Sequence, residues 1–599
     1  MKVLELAERR GFMVVIDDVS PAGPVPRAAA WGEILRYGAF CRELGLAEDA
    51  GREEFVLAAY RKWGREFPSH LLGEVSYAVW DPTEGVLIAV SDTAGSRPIY
   101  YAAKEGKVAV STDTRALRAL PWVGSKVDDL TVVAWLVDGP QREDASFYAN
   151  IKRLPGGCRL VARNGRVDVR RWWGPFFPAD EGIKTQADFI ARFRELLFDA
   201  VRDRLLLGGP VSILLSGGFD STAIAGVAAA LSREPGIALP EVRTISAMFH
   251  GFDCDESERI AIARQALPFL GDTFACEPGP ILPSDIADHA ALFDAPFVLQ
   301  QESTLATWSS LANSRGSVAL FGGFGGDELV YDLYDPGDVL REFGFGRWPR
   351  AVAYVSDVHA IGPLNAMFRV SRAAASASLQ GLLRPWRSMK ERVASRQVLE
   401  PRWWPEARMI SVRRRAVSTG LATYTDDVRW AMTSDASAQW RRAWFGQLFL
   451  RDGLEVRSPF FDRRLSELVY GTHAAKRPVP EKSAPFKPIL VHATRDVVPK
   501  TLTAQRWKPF FDTYNDAILH ATTPELANEI DNSRDWQATR FLEFQRARAL
   551  ASRSRLTTGP SRRDSGRHVL NVVAVESWLS KLDSNVAIDT TGGRDAGQS

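Results

Sequence analysis

The stretch Val211-Ser212-Ile213-Leu214-Leu215-Ser216-Gly217-Gly218-Phe219-Asp220-Ser221-Thr222 narrows the folds open to this chain more than any other. Val211 to Leu215 is a short apolar run suited to a buried parallel strand, and Ala223 to Leu231 has the composition of the helix that follows it. Between them lie glycines, hydroxyls and one carboxylate. Glycine lets a ligand approach the backbone, and amides at a helix N-terminus favour anions, so the turn suits phosphate. The Gly-Lys-Ser/Thr ending of a Walker loop is missing, and with it that loop's lysine. Asp220 would repel bare phosphate, so its presence points to a bridging Mg²⁺ held by oxygen ligands. The bland alternative is a Gly-Ser turn with Asp220 as a helix cap.

A second cluster has the same form. Val318-Ala319-Leu320-Phe321-Gly322-Gly323-Phe324-Gly325-Gly326-Asp327-Glu328-Leu329 is again a buried strand running into a glycine-rich turn that carries acids. Between the two clusters, Val242 to Phe249 reads as a parallel strand and Glu256 to Ala266 as a crossover helix. That alternation predicts a doubly wound sheet with ligand at the strands' carboxyl ends, where two acids following two strands can meet on one cation. Asp327 as the cap of a helix starting at Glu328 stays open, and neither role excludes the other.

A chain of 599 residues is long enough for two or more domains, each with its own core. Its net charge of +2 gives no global reason to expect nucleic acid or membrane partners. The four cysteines, Cys41, Cys158, Cys254 and Cys276, show no metal-binding spacing and fit reduced thiols in a cytoplasmic protein. The charged start, Met1-Lys2-Val3-Leu4-Glu5, lacks a secretory apolar core, and no apolar stretch is long enough to span a bilayer.

Ser-Gly-Gly-Phe-Asp-Ser-Thr resembles the pyrophosphate loop of ATP pyrophosphatases, in the form used by asparagine synthetases. The order of motifs before it is similar to the glutaminase half of those enzymes: Tyr60-Arg61-Lys62-Trp63-Gly64, His70-Leu71-Leu72-Gly73-Glu74, Trp80-Asp81, Asp92-Thr93-Ala94-Gly95-Ser96-Arg97-Pro98-Ile99-Tyr100-Tyr101, then Leu154-Pro155-Gly156-Gly157 before Arg171-Trp172-Trp173. Gly453-Leu454-Glu455-Val456-Arg457-Ser458-Pro459-Phe460-Phe461-Asp462 resembles the family's late signature. The resemblance implies α/β and α+β halves. Residues 1–173 would form a degenerate glutaminase-like, β-rich sandwich of the N-terminal-nucleophile (Ntn) type. Residues 189–520 would form an ATP-pyrophosphatase domain, adenine nucleotide alpha hydrolase-like, with a parallel sheet flanked by helices. Composition sets a Pro- and Gly-rich linker at 174–188, a basic-aromatic insertion without the family's signature at about 336–430, a helical extension at 521–588 where the resemblance fades, and a disordered tail at 589–599.

On this resemblance ATP activates a carboxylate as an acyl-adenylate. Asp220 and Asp327 flank the Mg²⁺ of Mg-ATP, and Lys487 sits where the family places its pyrophosphate-contacting lysine, able to stabilise charge on the departing group. Leu215, Ser216, Gly217, Gly218, Ser221, Thr222, Gly322 and Gly323 belong to the nucleotide-binding turns. Met248 and Phe249 end the strand that presents backbone groups to adenine, and Arg506 and Lys508 form a further basic motif. The cofactors implied are ATP and Mg²⁺.

Two departures redirect the chemistry. The family's glutaminase uses an N-terminal cysteine as nucleophile, whereas Lys2 follows Met1 here and Cys41 lies far inside the sequence, so the expectation is a catalytically empty domain. Phe324 stands where asparagine synthetases carry an acid and β-lactam synthetases a tyrosine, and a phenyl ring relays no proton. Glu302, Tyr331 and Tyr334 are possible replacements, though a structural role is the stronger reading for each. The stretch from Trp348 to Arg415, with Trp386, Trp403 and Trp404 among arginines, suits a peptide or a phosphate backbone, or is a solvated insertion. In its lost nucleophile and long insertion the chain looks like lasso-peptide cyclases, the macrolactam synthetases of this family. That likeness implies a precursor peptide as substrate and, as partners, a leader peptidase and a leader-recognition protein. The alternatives are a β-lactam synthetase-like enzyme, an amine-dependent amidotransferase, and a scaffold that has lost its chemistry.

Overall fold

The short alternating runs before Trp173 form two five-stranded antiparallel sheets in the computed structural model. The structure describes residues 2–6, 11–16, 26–137, 139, 142–175, 177–330, 348–349, 352–353, 356, 362–368, 370–371, 399–404, 424–473, 476–478, 487–503, 511–532, 536–554 and 560–582. One sheet runs, in spatial order, Lys2–Leu6, Gly11–Ile16, Lys107–Ser111, Ile99–Lys104 and Lys152–Leu154. The other runs Arg166–Arg171, Cys158–Arg163, Val86–Val90, Gly73–Asp81 and Arg27–Ile34.

The period of two in each strand turns one face inward, and Phe12, Val14 and Val110 of the first sheet meet Trp31, Ala78 and Leu87 of the second. Helices Tyr37–Leu44 and Arg52–Trp63 cover the second sheet's outer face. All five residues of Val86–Val90 are buried, as expected of a central strand covered on both faces. The first sheet's outer face carries Met13, Val15 and Ala109 into a core shared with the C-terminal half.

That half is organised by a five-stranded parallel sheet in the order Gly271–Ala275, Val242–Met248, Val211–Leu214, Ala319–Phe321, Glu455–Arg457. The apolar spacing from Phe189 to Leu207 is that of a helix, and the helix of the structure spans Gln186–Leu205. Its start is fixed by a capping box, with Asp188 N donating to Thr185 Oγ1 at 3.2 Å and Thr185 N donating to Asp188 Oδ2 at 2.8 Å. Its apolar stripe (Phe189, Phe193, Leu197, Val201) packs with the helix Phe219–Leu231 against the sheet.

The C-terminal helical region does not begin at residue 521. Helix Asp512–Asn532 runs through that point and packs with Pro560–Leu579, whose Trp578 reaches the N-terminal half. There the Trp578 Nε1–H donates to Tyr148 Oη at 3.3 Å, and Tyr148 donates onward to Asp294 Oδ1 at 2.7 Å. Most of the expected insertion, including Trp386, and the whole tail at 589–599 lie outside the described residues. Trp403 and Trp404 are described: Trp403 packs on Phe541 and donates to Arg540 O at 3.0 Å, and Trp404 donates to Leu399 O at 3.3 Å. No helix among the described residues is long and apolar enough to cross a membrane.

Candidate active site

Adjacent parallel strands end at the same sheet edge, so pairing of Val211–Leu214 with Ala319–Phe321 (Ser212 opposite Leu320) brings both acid-bearing turns together. Asp220 lies in the first turn of helix Phe219–Leu231, and Asp327 in that of the short helix Gly326–Val330. The turns touch through their glycines. A Cβ on Gly323 would stand 2.8 Å from Asp220 Cβ and 3.0 Å from Ser221 N, and one on Gly326 would stand 2.5 Å from Asp220 Cγ. Only glycine permits that approach.

Lys487 joins them. It precedes helix Pro488–Thr494 in the left-handed region (φ 60), a costly conformation for a side-chain-bearing residue and one that marks functional positions. With 2% of the residue exposed, its Nζ contacts Asp220 Oδ2 and stands 2.8 Å from Asp327 Oδ1. Burial by itself would pull the ammonium's pKa down. The charges of Asp220 and Asp327, and the hydrogen bonds to both, outweigh that and raise it above the ordinary lysine value.

The first turn is held by its own hydroxyls. Ser216 and Ser221 hydroxyls are 3.0 Å apart, Gly218 N donates to Ser216 Oγ at 3.2 Å, and the buried Thr222 donates to Gly218 O at 2.8 Å. Gly217 has a positive φ of 80, and its carbonyl accepts from Arg259 Nε at 3.0 Å. Leu215 N still donates to Ile245 O, extending the strand by one residue. Ser221 and Thr222 thus shape the loop from within. Gly322 N donates to Arg457 O, and Gly322 lies under the folded-back ring of Phe324. Met248 O accepts from Cys276 N at 2.7 Å, and the buried Phe249 stacks edge-on against Tyr514. Arg506 and Lys508 lie outside the described residues, as do Tyr331 and Tyr334.

Two carboxylates that converge on one ammonium also form a donor set for a divalent cation. No cluster of three or more metal-ligating side chains occurs among the described residues. Mg²⁺ takes one or two carboxylates and completes its shell with phosphate oxygens and water, a count that Asp220 and Asp327 would supply.

A cavity of about 370 Å³ opens beside Asp327, walled by Phe297, Leu299, Phe324, Phe445 and Phe461, with Glu328, Arg441 and Arg442 at its edge. Ser96 and Arg97 of the N-terminal half close it. Phe324 packs on Phe445 with ring centroids 4.7 Å apart, so the position is apolar as well as unable to relay protons. Glu302, one candidate base, is engaged elsewhere: it accepts from, or pairs with, buried His289 Nε2 at 2.8 Å. Arg442 and Glu328 were not singled out by sequence. Arg441-Arg442 on the helix Ala436–Arg451 reads as a solvated pair until the fold covers it.

In the N-terminal half the only cysteines are Cys41 and Cys158, both buried. Burial raises the Cys41 thiol and pushes Cys158 up to about 11, so neither is a ready nucleophile. Lys2 sits in the strand Lys2–Leu6, opposite Val15. Glu74 accepts from Arg204 Nη2 of the C-terminal half at 3.1 Å, and Arg97 pairs with Glu455, so motif residues of this half serve as ties between halves.

Comparison with known proteins gives a consistent picture. The asparagine synthase family model matches residues 192–580, and the glutamine amidotransferase domain model matches residues 31–173. Among curated relatives, the amidase chry2 of Gibberella zeae is 29% identical over 43% of this chain and 40% of its own length. The amidase chyE of Penicillium rubens is 31% identical over 30% of this chain and 27% of its own. The glutamine-hydrolyzing asparagine synthetase 3 of Bacillus subtilis is 28% identical over 29% and 28%. The chain thus spans well under half the length of these relatives.

Proposed function

The chain belongs to the asparagine synthase family, and on that premise we propose that it is an ATP-dependent carbon–nitrogen ligase, yielding AMP and pyrophosphate, whose N-terminal half has no glutaminase chemistry. The observation that carries this reading is the meeting of Asp220, Asp327 and Lys487 at one point below two glycine-rich turns. A substrate carboxylate is a poor electrophile, and adenylation with loss of pyrophosphate activates it. Mg²⁺, when bound by Asp220 and Asp327, would neutralise phosphate charge. Lys487, fixed by its two acids, offers a positive charge that costs no reorganisation as negative charge builds on the leaving group. Attack by an amine then forms the amide and releases AMP.

Within that class we favour closure of a precursor peptide on itself, a side-chain carboxylate joined to the peptide's α-amine as in lasso-peptide cyclases. The buried, unreactive cysteines of the N-terminal half support this, because they leave no route to ammonia from glutamine. A leader peptidase and a leader-recognition protein would be its partners. Joining a small acid to an external amine is the second reading; a cavity with room for only one or two side chains favours it.

Pyrophosphate release from ATP, with and without an acid-bearing candidate peptide, tests the class. Release that depends on the peptide, together with a product one water lighter than the linear peptide, is the expected result. Asp220→Ala is expected to abolish it. ATP binding without pyrophosphate release for every acid tried would leave a scaffold.

A further inference from the structure

Around the cavity, charge is unevenly satisfied. Arg97 is matched by Glu455, Glu74 by Arg204, and Asp327 by Lys487. Glu328 makes no hydrogen bond or ion pair among the described residues, although it stands close enough for its charge to act on Arg442. Arg442 donates through Nε and Nη2 to Ala94 O (3.0 and 2.7 Å) and through Nη2 to Thr433 O, and lies 4.8 Å over the Phe461 ring. No carboxylate is within ion-pair distance of it or of the exposed Arg441 among the described residues. Burial lowers its pKa to about 10, the mark of a charge without a counter-ion. One acid and two guanidinium groups, none with an opposite charge in contact, thus border an aromatic-walled space beside Asp327.

We propose that this cavity seats the amine reactant: an α-amino group held by Glu328, its neighbouring carbonyl or carboxylate oxygen toward Arg441 and Arg442, and a bulky apolar side chain against Phe445 and Phe461. The proposal rests on the ligase reading and names the second substrate's chemistry. Ammonia would leave the aromatic wall and both guanidinium groups unused. An α-amine with an oxygen three bonds away occurs in a free amino acid and at a peptide's N-terminus, and both satisfy these groups. In the coupling step the bound ammonium first gives up a proton to solvent, the neutral nitrogen attacks the acyl carbon, the carbon–oxygen bond to AMP breaks with its electron pair leaving on AMP, and the second proton shed by nitrogen also passes to solvent. The N-terminal half, with its glutaminase chemistry gone, then serves as the wall of its neighbour's acceptor site, through Ala94, Ser96 and Arg97.

Calorimetric titration of the full chain with phenylalanine, phenylalanine amide and N-acetylphenylalanine amide tests this. The two primary amines are expected to bind and the acetylated one not. Glu328→Gln should weaken both about 30-fold, the usual effect of removing one partner of a desolvated charge pair. Tighter binding of the amide identifies a peptide N-terminus as the natural occupant, and tighter binding of phenylalanine a free amino acid. Val456→Trp, which fills the cavity and leaves Glu328 intact, must also weaken binding, and serves alone if Glu328→Gln fails to fold. No saturable binding by either amine, equal binding of the acetylated probe, or unchanged affinity in a folded variant overturns the proposal. Pyrophosphate release does not depend on these probes, so loss of the ligase reading would show separately.

Discussion

At Lys487 one ammonium faces two carboxylates in a nearly dry setting, and the sign of its titration makes the arrangement testable. Its folded pKa is raised, so its contribution to stability is fully present below the ordinary lysine value of 10.5 and is lost as pH rises past it. Lys487→Met leaves Asp220 and Asp327 facing each other without a cation, at a cost of about 3–5 kcal/mol. The gap in melting temperature between wild type and Lys487→Met is expected to stay constant from neutral pH up to that value and to narrow above it, read by calorimetry across pH. The cysteines give a second residue-level test. All four are buried, and burial pushes Cys158 and Cys254 up to about 11. Iodoacetamide at mildly alkaline pH should therefore leave the native protein largely unlabelled and modify every cysteine in denaturant, by mass spectrometry.

Between elements, the meeting of two turns depends on glycines that face Asp220. Gly326→Ala would drive a methyl to 2.5 Å from Asp220 Cγ and push the strands' ends apart. Misplacing reacting groups by about 1 Å costs about 100-fold in rate, so pyrophosphate release should fall by that order. Gly51→Ala, where a Cβ meets nothing within 4 Å, should leave release unchanged. A variant Gly326→Ala with wild-type release would mean that the turns need not touch.

For the molecule as a whole, the N-terminal half is tied to the C-terminal half by buried charge. Arg204 donates to Asp462 Oδ2 at 2.8 Å and to Glu74 Oε1 at 3.1 Å, Arg118 pairs with Asp294 at 2.9 Å, and Arg97 pairs with Glu455. A domain that kept only an old activity would have no reason to be fastened so firmly. Arg204→Met strands the buried Glu74 carboxylate, while Asp462 keeps its pair with Arg464, and is expected to cost about 3–5 kcal/mol, seen as a lower urea midpoint. No hydrolysis of glutamine is expected from the intact protein, measured as glutamate formed.

The sequence by itself determined what local physics decides. Alternating and continuous apolar runs fixed which segments became half-covered or central strands, and glycines with acids after two such runs marked the turns at their ends. It also marked Lys487, through the motif before it. Helix bounds moved by a few residues where a cap such as Thr185 with Asp188 outweighed the apolar pattern. Only the tertiary structure decided that Lys487 lies between both acids, that Glu302 is engaged by His289, and that Thr222 faces into its own loop. The same holds for Glu328 and Arg442, which read as ordinary surface charges until the loop carrying Ala94, Ser96 and Arg97 in the other half of the chain borders their space. The physical reason is desolvation: a charge's role depends on what excludes water from it and what answers it, and those groups come from segments hundreds of residues away.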